Sequence, residues 1–536
     1  MKWNFLHYNF PLFTITIAGF FLSAQAGVWI RINQAGYTPE RNKTAIVLSD
    51  TDIAGKIWNL KKNDSTILSG KIPAGKSGDN IYAAQAFTYA IDFSKLKEKG
   101  VYTLEVSGAQ TQQVLIKDDP YSLFAAQALM HLRAMRSRHL GDSVAIIHKV
   151  KGDWKQGAWQ EGVPRKTIDM QGGHYDAGDY IKFTLNEAYL AWHLLNAYIE
   201  NPSLPDILDE AKHSLDYLLK TFPDENTFVI QVGDGKDHEQ GWRLPEMDAL
   251  NGKRPALCAL SRTHMGSTAA ALALGANVFK NIDANSAAKY REKAKAIYAR
   301  AKQSDTQASA FERNKVNDFY YDQTDEDNMA LAAAELGDTK TYAPPAASEV
   351  SWEQWNAFAN YRLATQGDET AKSRLLLEAS RYEWENIWDL PGEYMWGSLH
   401  RWIGKANIHL RAQRLQGKEL SQPFFGVLDY VFGRNNWGIA MLASNNLPYS
   451  IRYVYNGIYR LTKVFPTGAL SEGPGDKATH LEMRKYFALP KNNSFEKFNT
   501  EVGVFYDNAD DFMIQESTIG GQGDLLLMLA LASRKR

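Results

Sequence analysis

The chain of 536 residues has little of several features that would indicate common kinds of protein. It contains one cysteine, Cys258, which excludes an intrachain disulfide and a four-cysteine zinc site. Lys+Arg number 60 and Asp+Glu 61, so the net charge of −1 excludes a broad basic field for nucleic acid. No stretch of about 20 uninterrupted apolar residues is present. These absences favour an ordinary globular protein.

The N-terminus has the pattern of a cleaved secretory signal. Lys2 precedes an apolar run over residues 10–22, and Ala24-Gln25-Ala26 follows as a small-x-small cleavage site. The run is too short to span a bilayer with ease, although an uncleaved anchor is the alternative. We therefore expect a signal peptide over 1–26 and a secreted or periplasmic protein with no membrane association after cleavage.

The remaining chain divides into two bodies. Residues 27–118 contain short β-branched runs separated by turn residues, which predicts a small all-β sandwich. Residues 119–536 carry apolar residues at helical spacing, which predicts an all-α domain of ten or more helices. The clearest predicted helices are 269–280, 287–301, 328–336, 355–364, 371–388, 402–415 and 523–533.

The densest polar cluster lies at 172–180, just before a predicted helix that begins near Leu185. Asp176 and Asp179 are three residues apart, so their carboxylates can converge on one water molecule. The alternative is a solvated turn, or an aspartate that caps the next helix.

A second cluster, at 506–516, directly precedes the apolar C-terminal helix. Glu516 stands among Met513, Ile514 and Ile519, where partial desolvation would raise its pKa and suit it to general-acid work. The alternative is a glutamate at a helix N-terminus that is favoured by the helix dipole.

A third cluster lies at 231–246. His238, Trp242 and Arg243 combine hydrogen-bonding groups with an aromatic face, which suits sugar hydroxyls and a sugar ring. Asp234 and Asp237 could instead bind Ca²⁺, but their spacing is not that of the twelve-residue calcium loop.

Taken together, the motifs resemble glycoside hydrolase family 9, a cellulase family with an (α/α)6 barrel. The resemblance covers nearly the whole mature chain, with the motifs in the family's order. It rests on these segments: Ile30-Arg31-Ile32-Asn33-Gln34-Ala35-Gly36-Tyr37, Gly172-Gly173-His174-Tyr175-Asp176-Ala177-Gly178-Asp179, Gln231-Val232-Gly233-Asp234-Gly235, Trp396-Gly397-Ser398 with Asn407, Tyr430-Val431-Phe432-Gly433-Arg434-Asn435, and Asp510-Asp511-Phe512 before Glu516.

The resemblance implies a multi-domain fold, with an Ig-like β-sandwich at 27–118 followed by an (α/α)6-barrel catalytic domain at 119–536. It also implies an inverting mechanism on β-1,4-glucosidic bonds of cellulose-type glucans or cellooligosaccharides. Asp179 would be the general base, Asp176 would help to hold the attacking water, and Glu516 would be the general acid.

The resemblance also implies the residues that contact the substrate. His238 and Trp242 carry over as sugar contacts, and Tyr175, Arg452 and Trp396 complete the predicted substrate-binding set. The expected partner is a β-glucan or oligosaccharide, with no nucleic acid, and the chain is expected to be a monomer.

The chain departs from the family pattern in its cleft and at its metal sites. Residues 448–452 lack the family's histidines, and 519–522 lack the Asp-Tyr pair that follows the general acid in many relatives. We therefore expect a remodelled cleft that favours oligosaccharides over crystalline cellulose. Residues 266–269 lack the acidic ligands of the family's calcium site, so that site is expected to be lost, although a structural calcium remains possible. His139, His148 and His174 have no cysteine beside them for the family's zinc site, so no metal and no cofactor are expected.

Two other functions remain open from the sequence. An exo-acting enzyme on another β-linked sugar, such as glucosamine oligomers, would need an extra carboxylate, for which Glu472 and Asp524 are candidates or else ordinary surface groups. A non-catalytic glycan-binding protein could use the same scaffold, because function follows the site rather than the fold. Cys258 is expected to be a buried residue with no chemical role.

Overall fold

The structure is a computed structural model. It describes residues 27–77, 81–149, 166–239, 241–248, 254–304, 320, 324–338, 350–382, 384–419, 421–490 and 493–533. The predicted signal peptide lies outside the described residues. Within them, no helix combines the length and the hydropathy needed to cross a membrane.

The N-terminal body is a sandwich of two four-stranded sheets. Their orders are β1-β2-β6-β5 and β4-β3-β7-β8, and all of the strand pairs are antiparallel. The strands are β1 (Val28–Arg31), β2 (Thr44–Ser49), β3 (Ile57–Lys62), β4 (Ser65–Lys71), β5 (Lys76–Ser77), β6 (Phe87–Asp92), β7 (Gly100–Val106) and β8 (Gln112–Ile116).

Along the strands of this sandwich, side chains point alternately into the core and towards the surface. In β7, Tyr102, Leu104 and Val106 are buried, whereas Val101 is exposed and Glu105 is partly exposed. Because successive side chains of a strand point to opposite faces, this period of two places one face of the strand in the core. The predicted β-sandwich is confirmed.

The helical body follows the sandwich directly. Its described helices are α1 (Ser122–Met135), α2 (Thr184–Glu200), α3 (Ile207–Leu218), α4 (Gly235–Glu239), α5 (Arg262–Phe279), α6 (Ala284–Lys302), α7 (Glu326–Leu336), α8 (Asn356–Thr365), α9 (Glu369–Ser380), α10 (Ser398–Arg414), α11 (Gln422–Val431), α12 (Gly457–Thr462), α13 (Lys477–Met483), α14 (Phe512–Gln515) and α15 (Ile519–Ser533). Short 3₁₀ turns occur at Leu140–Val144, Pro245–Met247 and Glu496–Phe498.

The helices close into a ring because the last helix packs against the first ones. Helix α15 contacts α1, α2 and α10, and it is buried on all sides from Ile519 to Leu531. Helix α2 is buried almost throughout as well. A helix that is apolar all round belongs in the centre of a large body, so these helices form the inner wall of the barrel.

One predicted helix is too long. The range 371–388 was expected to be one helix, but α9 ends at Ser380. Further on, the side-chain oxygen of Asn386 accepts hydrogen bonds from the backbone N–H groups of Trp388 and Leu390, and Asp389 has a φ of 59°. These local bonds replace helical ones and fold the segment into a turn.

The helical body also contains strands that the sequence did not predict. A five-stranded sheet has the order β10-β9-β13-β12-β11, from β9 (Ala145–Lys149), β10 (Thr167–Ile168), β11 (Lys182–Phe183), β12 (Val229–Val232) and β13 (Pro255–Cys258). A smaller pair joins β14 (Gly475–Asp476) to β15 (Gly503–Val504). Strands of two to five residues are too short to give a periodic signal in the sequence. The pairing of Lys182 with Val232 brings the first and third polar clusters together.

The two bodies meet at a buried polar junction. Asp429 of α11 accepts hydrogen bonds from Asn33 at 2.7 Å and from Arg41 at 2.5 Å, and both Arg41 and Asp429 are buried. The backbone N–H of Gln34 donates to the carbonyl of Phe432 at 2.9 Å. The sandwich is therefore fixed to the barrel by specific bonds.

Candidate active site

The three polar clusters of the sequence meet in one cleft of about 1190 Å³. Its lining includes five of the predicted site residues: Asp176, Asp179, His238, Trp242 and Glu516. Trp396, a sixth, also lines it with 41% of its surface exposed and packs 5.6 Å from the ring of Phe512. The fold has therefore brought together residues that lie up to 340 positions apart in the chain (516 − 176).

The loop that carries the two aspartates is anchored by His174. Its Nδ1 lies 2.9 Å from Glu187 Oε1, its Nε2 lies 2.8 Å from Glu210 Oε1, and its backbone N–H donates to Glu187 Oε2. Burial opposes a charge on the ring, but the two glutamates outweigh it and raise the pKa of His174 to about 9. The imidazolium thus ties the loop to α2 and α3.

Asp176 is buried at the cleft floor and held on both oxygens. Oδ1 accepts a hydrogen bond from Asn186 at 2.7 Å, and Oδ2 accepts one from the hydroxyl of Tyr320. Burial raises the pKa of Asp176 to about 7. Helix α2 begins at Thr184 without a side-chain cap, so neither Asp176 nor Asp179 is the helix cap that the sequence left open.

Asp179 is more open, with 21% of its side chain exposed. Oδ1 accepts a hydrogen bond from the backbone N–H of Ile181 at 2.9 Å, and Oδ2 lies 2.7 Å from Nδ1 of His238. The carboxylate is thereby fixed in orientation while part of it faces the cleft. Such a group can accept a proton from a water molecule.

Glu516 reaches the same loop from the other end of the chain. Its Oε1 accepts a hydrogen bond from the backbone N–H of Gly178 at 2.9 Å. A Cβ atom at position 178 would lie only 2.8 Å from that oxygen, so this close approach requires glycine. Burial, followed by the charge of Asp179, raises the pKa of Glu516 well above its usual range.

Glu516 is not part of a helix N-terminus. It has extended backbone angles (φ −68°, ψ 138°) between α14 and α15, and it forms a β-bridge with Tyr455. The alternative interpretation, in which Glu516 lies at a helix N-terminus and is favoured by the helix dipole, is therefore wrong. Desolvation with a neighbouring carboxylate is the environment that keeps a glutamate protonated near neutral pH.

The loop that carries the third cluster rests on a buried ionic network. His139, Asp237 and Asp248 place their ligand atoms within 4.8 Å of one another, as a metal site would. However, Arg243 lies 2.8 Å from Asp248 and 3.3 Å from Asp237, and Arg254 lies 3.5 Å from Asp237. The two guanidinium groups already supply the positive charge, so this cluster does not fit a metal ion.

The other expectations about metal sites can be compared with the described side chains. His174 is occupied by two glutamates, and His148 lies on β9. At the family's calcium position, Gly266 and Ser267 lie inside α5, where the Ser267 hydroxyl donates to the carbonyls of Thr263 and His264. These contacts include no carboxylate, which is the side chain that calcium sites use most.

Two predicted substrate contacts do not line the cleft. Tyr175 is fully buried, its hydroxyl accepts a hydrogen bond from the backbone N–H of Arg138 at 2.7 Å, and it lies 2.7 Å from Nδ1 of His139. Arg452 is exposed on a loop, and its own backbone N–H donates a hydrogen bond to Asp507 at 3.0 Å. Because Tyr175 packs beneath the aspartate loop and Arg452 lies outside the cleft, neither is placed for substrate contact.

The cleft also contains residues that the sequence did not single out. Tyr320, Asn186 and His400 line it together with the aromatic residues Trp352, Tyr455 and Tyr486. Only Asn186 had a usable signal, as a polar residue within the apolar pattern of α2. His400 follows the Trp396-Gly397-Ser398 motif but was not singled out, and the remaining residues were identified only by the fold.

The candidate carboxylates for an amine subsite have different positions. Glu472 lines the cleft and is 8% exposed. Asp524 is fully buried, where it lies 3.1 Å from His193, 2.8 Å from His400 and 3.0 Å from the hydroxyl of Tyr189. Asp524 therefore belongs to the barrel wall.

The cleft of this helical barrel brings together a glutamic acid with a raised pKa and a more open aspartate, and most glycoside hydrolases use such a pair of carboxyl groups. Comparison with known families agrees. Residues 121–529 match the model of glycosyl hydrolase family 9, and residues 25–111 match the cellulase N-terminal Ig-like domain. The chain belongs to glycosyl hydrolase family 9.

Curated relatives match more distantly. Endoglucanase C of Cellulomonas fimi is 25% identical over 87% of this chain and 48% of its own length. Endoglucanase 4 of Bacillus sp. strain KSM-522 is 34% identical over 41% of this chain and 33% of its own length. A xyloglucan-specific endo-β-1,4-glucanase of Bacteroides ovatus is 28% identical over 35% of this chain and 36% of its own length. The chain thus spans about a third to a half of the length of these relatives.

Solved structures show the same fold over the whole described chain. A metagenome-derived family 9 endoglucanase superposes with a TM-score of 0.75 at 20% identity, covering 95% of this chain and 99% of that one. A family 9 protein of Bacteroides ovatus gives 0.74 at 19% identity, covering 94% and 98%. The fold is therefore an Ig-like domain followed by an (α/α)6 barrel, as the resemblance implied.

Proposed function

We propose that this chain is a secreted, inverting hydrolase of β-1,4-glucosidic bonds in cellulose-type glucans or cellooligosaccharides. The observation that carries the proposal is the contact between Glu516 and the loop of Asp176 and Asp179. It puts Glu516, a carboxyl group whose pKa is raised, beside the more open carboxyl group of Asp179 in a cleft lined by aromatic side chains. The names of the curated relatives, which are endoglucanases, support the same reaction class.

In this mechanism Glu516 is the general acid. Its burial, together with the charge of Asp179, favours the protonated form, which can give its proton to the glycosidic oxygen as the bond breaks. The hydrogen bond from Gly178 fixes Oε1, so Oε2 remains to carry the proton. After transfer, the same N–H stabilises the carboxylate that is left.

Asp179 is the general base in this mechanism, and Asp176 helps to hold the water. Asp179 takes the proton of the attacking water, and its contact with His238 keeps the carboxylate in one orientation. Asp176 is held by Asn186 and Tyr320, which places its carboxyl group rigidly at the floor. Inversion needs roughly 6.5–9.5 Å between acid and base for the water to fit.

Aromatic side chains form the walls that would hold the sugar rings. Trp242 packs 4.7 Å from Tyr455, and Trp396 packs 5.6 Å from Phe512. Tyr455 lies 5.7 Å from Phe512, so the four rings form one continuous aromatic surface. Gly520 lies at the cleft after Glu516, so no aromatic platform stands there. The altered lining supports the preference for short oligosaccharides over crystalline cellulose.

The test is hydrolysis of cellooligosaccharides, with the anomeric form of the fresh product followed by NMR. We expect α-anomeric products from the β-linked substrate, with activity lost in Glu516→Gln and kept in Glu369→Gln, an exposed carboxylate outside the cleft. β-Anomeric products would contradict inversion. Full activity in Glu516→Gln would contradict the acid assignment, and glycan binding without hydrolysis would favour a non-catalytic protein.

A further inference from the structure

Arg254 is a fully buried guanidinium group that does not line the cleft. It directly precedes β13, and its Nη2 donates hydrogen bonds to the backbone carbonyl of Tyr180 and, at 3.2 Å, to that of Val232. Tyr180 directly follows Asp179, the proposed base. A contribution of Arg254 to the reaction must therefore pass through the groups that it holds.

One contact of Arg254 leads to the base through a single peptide group. The carbonyl of Tyr180 and the N–H of Ile181 belong to the same peptide unit, which is planar. The carbonyl accepts a hydrogen bond from Arg254, and the N–H donates to Oδ1 of Asp179 at 2.9 Å. Because hydrogen bonds in a chain polarise one another, the guanidinium group both orients this N–H and strengthens its bond to the carboxylate.

A second path leads from Arg254 to the other oxygen of Asp179. Nε of Arg254 lies 3.5 Å from Oδ1 of Asp237, which directly precedes His238 in α4. Nδ1 of His238 lies 2.7 Å from Oδ2 of Asp179. Asp237 is also held by the backbone N–H of Asp234, which donates to its Oδ2 at 3.1 Å. Both contacts that orient the base therefore lead back to one guanidinium group.

The guanidinium group is itself fixed in position. Asp142, which is also fully buried, lies 3.4 Å from Nη1 of Arg254 and 2.6 Å from Nζ of Lys182. Gly233 leaves room for the group, since a Cβ atom there would lie 2.9 Å from Nη2 and its φ of 93° favours glycine. Because moving away from these partners would leave a buried charge unpaired, Arg254 holds one position.

We propose that Arg254 is a positioning residue, which holds the carboxylate of Asp179 in the orientation needed to take a proton from water. This inference rests on the hydrolase proposed above and adds to it a residue that does not touch substrate. Lysine cannot replace Arg254, because a single ammonium group lacks the planar fork that reaches two carbonyls and two carboxylates at once.

The test is Arg254→Lys, assayed on cellotetraose. We expect kcat to fall by about 10- to 100-fold while KM changes by less than about 3-fold, because the base is misplaced and the aromatic surface is not. The matched control is Arg411→Lys. Arg411 is another buried guanidinium group, which lies 2.9 Å from Asn196 and 3.4 Å from Glu200 in the barrel wall. The control should leave both kinetic constants unchanged.

A double-mutant cycle separates positioning of the base from a general loss of structure. His238→Ala removes the end of the second path, so Arg254→Lys should cost less activity in that background than in the native protein. The loss in the double variant should be at least about 3-fold smaller than the product of the two single losses. Losses that multiply, or a raised KM with an unchanged kcat, overturn the inference. If Arg254→Lys does not fold, Asp237→Asn replaces it in the cycle and should show the same shortfall.

Hydrogen exchange separates failure of this inference from failure of the proposed hydrolase, because it needs no turnover. Measured by mass spectrometry, segment 172–183, which contains Ile181, should exchange faster in Arg254→Lys than in the native protein and Arg411→Lys. Unchanged exchange in Arg254→Lys overturns the inference, whether or not cellotetraose is hydrolysed. Faster exchange in Arg254→Lys, when the native protein cleaves no cellooligosaccharide, supports the hold of Arg254 on the aspartate loop and overturns the hydrolase.

Discussion

The carboxyl groups of Asp429 at the domain junction and of Glu516 in the cleft have opposite surroundings. Asp429 at the junction contacts Arg41 and Asn33, and Arg434 lies 3.6 Å away. Glu516 in the cleft has only the neutral N–H of Gly178 recorded as its donor. Since a buried carboxylate without a cation costs several kcal/mol, the junction is arranged for stability. The cleft instead raises the pKa of Glu516, at a cost in stability above the ordinary pKa of a glutamate.

The largest expected effect is the loss of activity when Glu516 in the cleft is replaced. Glu516→Gln should lower kcat/KM on cellooligosaccharides by about 10²–10⁴-fold, because proton donation is lost. The melting temperature should stay the same or rise, because the surroundings of Glu516 oppose its ionisation and glutamine cannot ionise. Initial rates and thermal melts of the purified variant measure both quantities. A large fall in melting temperature would mean that Glu516 stabilises the fold, as Asp429 is expected to do, and would contradict the difference between the cleft and the junction.

Replacing Asp429 at the junction should instead lower the stability of the protein. Asp429→Asn leaves Arg41 buried without its counter-charge, so we expect a loss of about 3–5 kcal/mol in the free energy of unfolding. Denaturant unfolding followed by tryptophan fluorescence measures this loss. The matched control is Glu105→Gln, which removes a partly exposed ion pair with Lys61 and should cost less than about 1 kcal/mol. Similar losses in both variants would contradict the stabilising role of the junction.

The same comparison shows what could be predicted from the sequence. The sandwich and most long helices were predictable, because a period of two or 3.6 repeats over many residues. The placement of Asp176, Asp179, His238 and Glu516 in one cleft followed only from the family resemblance. The junction could not be foreseen, because Arg41 and Asp429 are 388 residues apart (429 − 41) and neither belongs to a chemical motif.

Tyr175 illustrates a second limit of sequence reasoning. It stands next to Asp176 in the aspartate motif, and it was predicted to contact substrate as part of the set that the family resemblance implied. In the folded loop the two side chains diverge, with Asp176 in the cleft lining and Tyr175 packed at 4.8 Å on Tyr180. Tyr320 shows the reverse case, since it reaches Asp176 from a position 144 residues away. Side-chain direction in loops is set by tertiary packing, which has no local sequence signal.

A smaller effect is expected from the anchor of the aspartate loop. The pKa of His174 is about 9 in the fold, above the ordinary value of about 6.5. Its contribution to stability is therefore complete below about pH 6.5 and is lost as the pH rises through 9. The melting temperature should fall over that interval in native protein, and less steeply in His174→Gln.

His213 offers the matched control for this pH dependence. Its ring lies 5.0 Å from that of His174, but burial, followed by the charge of His174, lowers its pKa. Replacing it by glutamine should therefore keep the native slope of melting temperature between about pH 6.5 and 9. An unchanged slope in His174→Gln, or an equal change in both variants, would contradict the role of His174.

The smallest expected effect is that of Glu472 on the pKa of Glu516. The basic limb of the kcat/KM profile reports deprotonation of the acid, and the charge of Glu472 helps to raise the pKa of Glu516. Glu472→Gln should move that limb to lower pH by less than about one unit, because burial and Asp179 contribute more. The profile is measured on cellotetraose, a neutral substrate. A shift to higher pH would mean that Glu472 does not act on Glu516 as a negative charge.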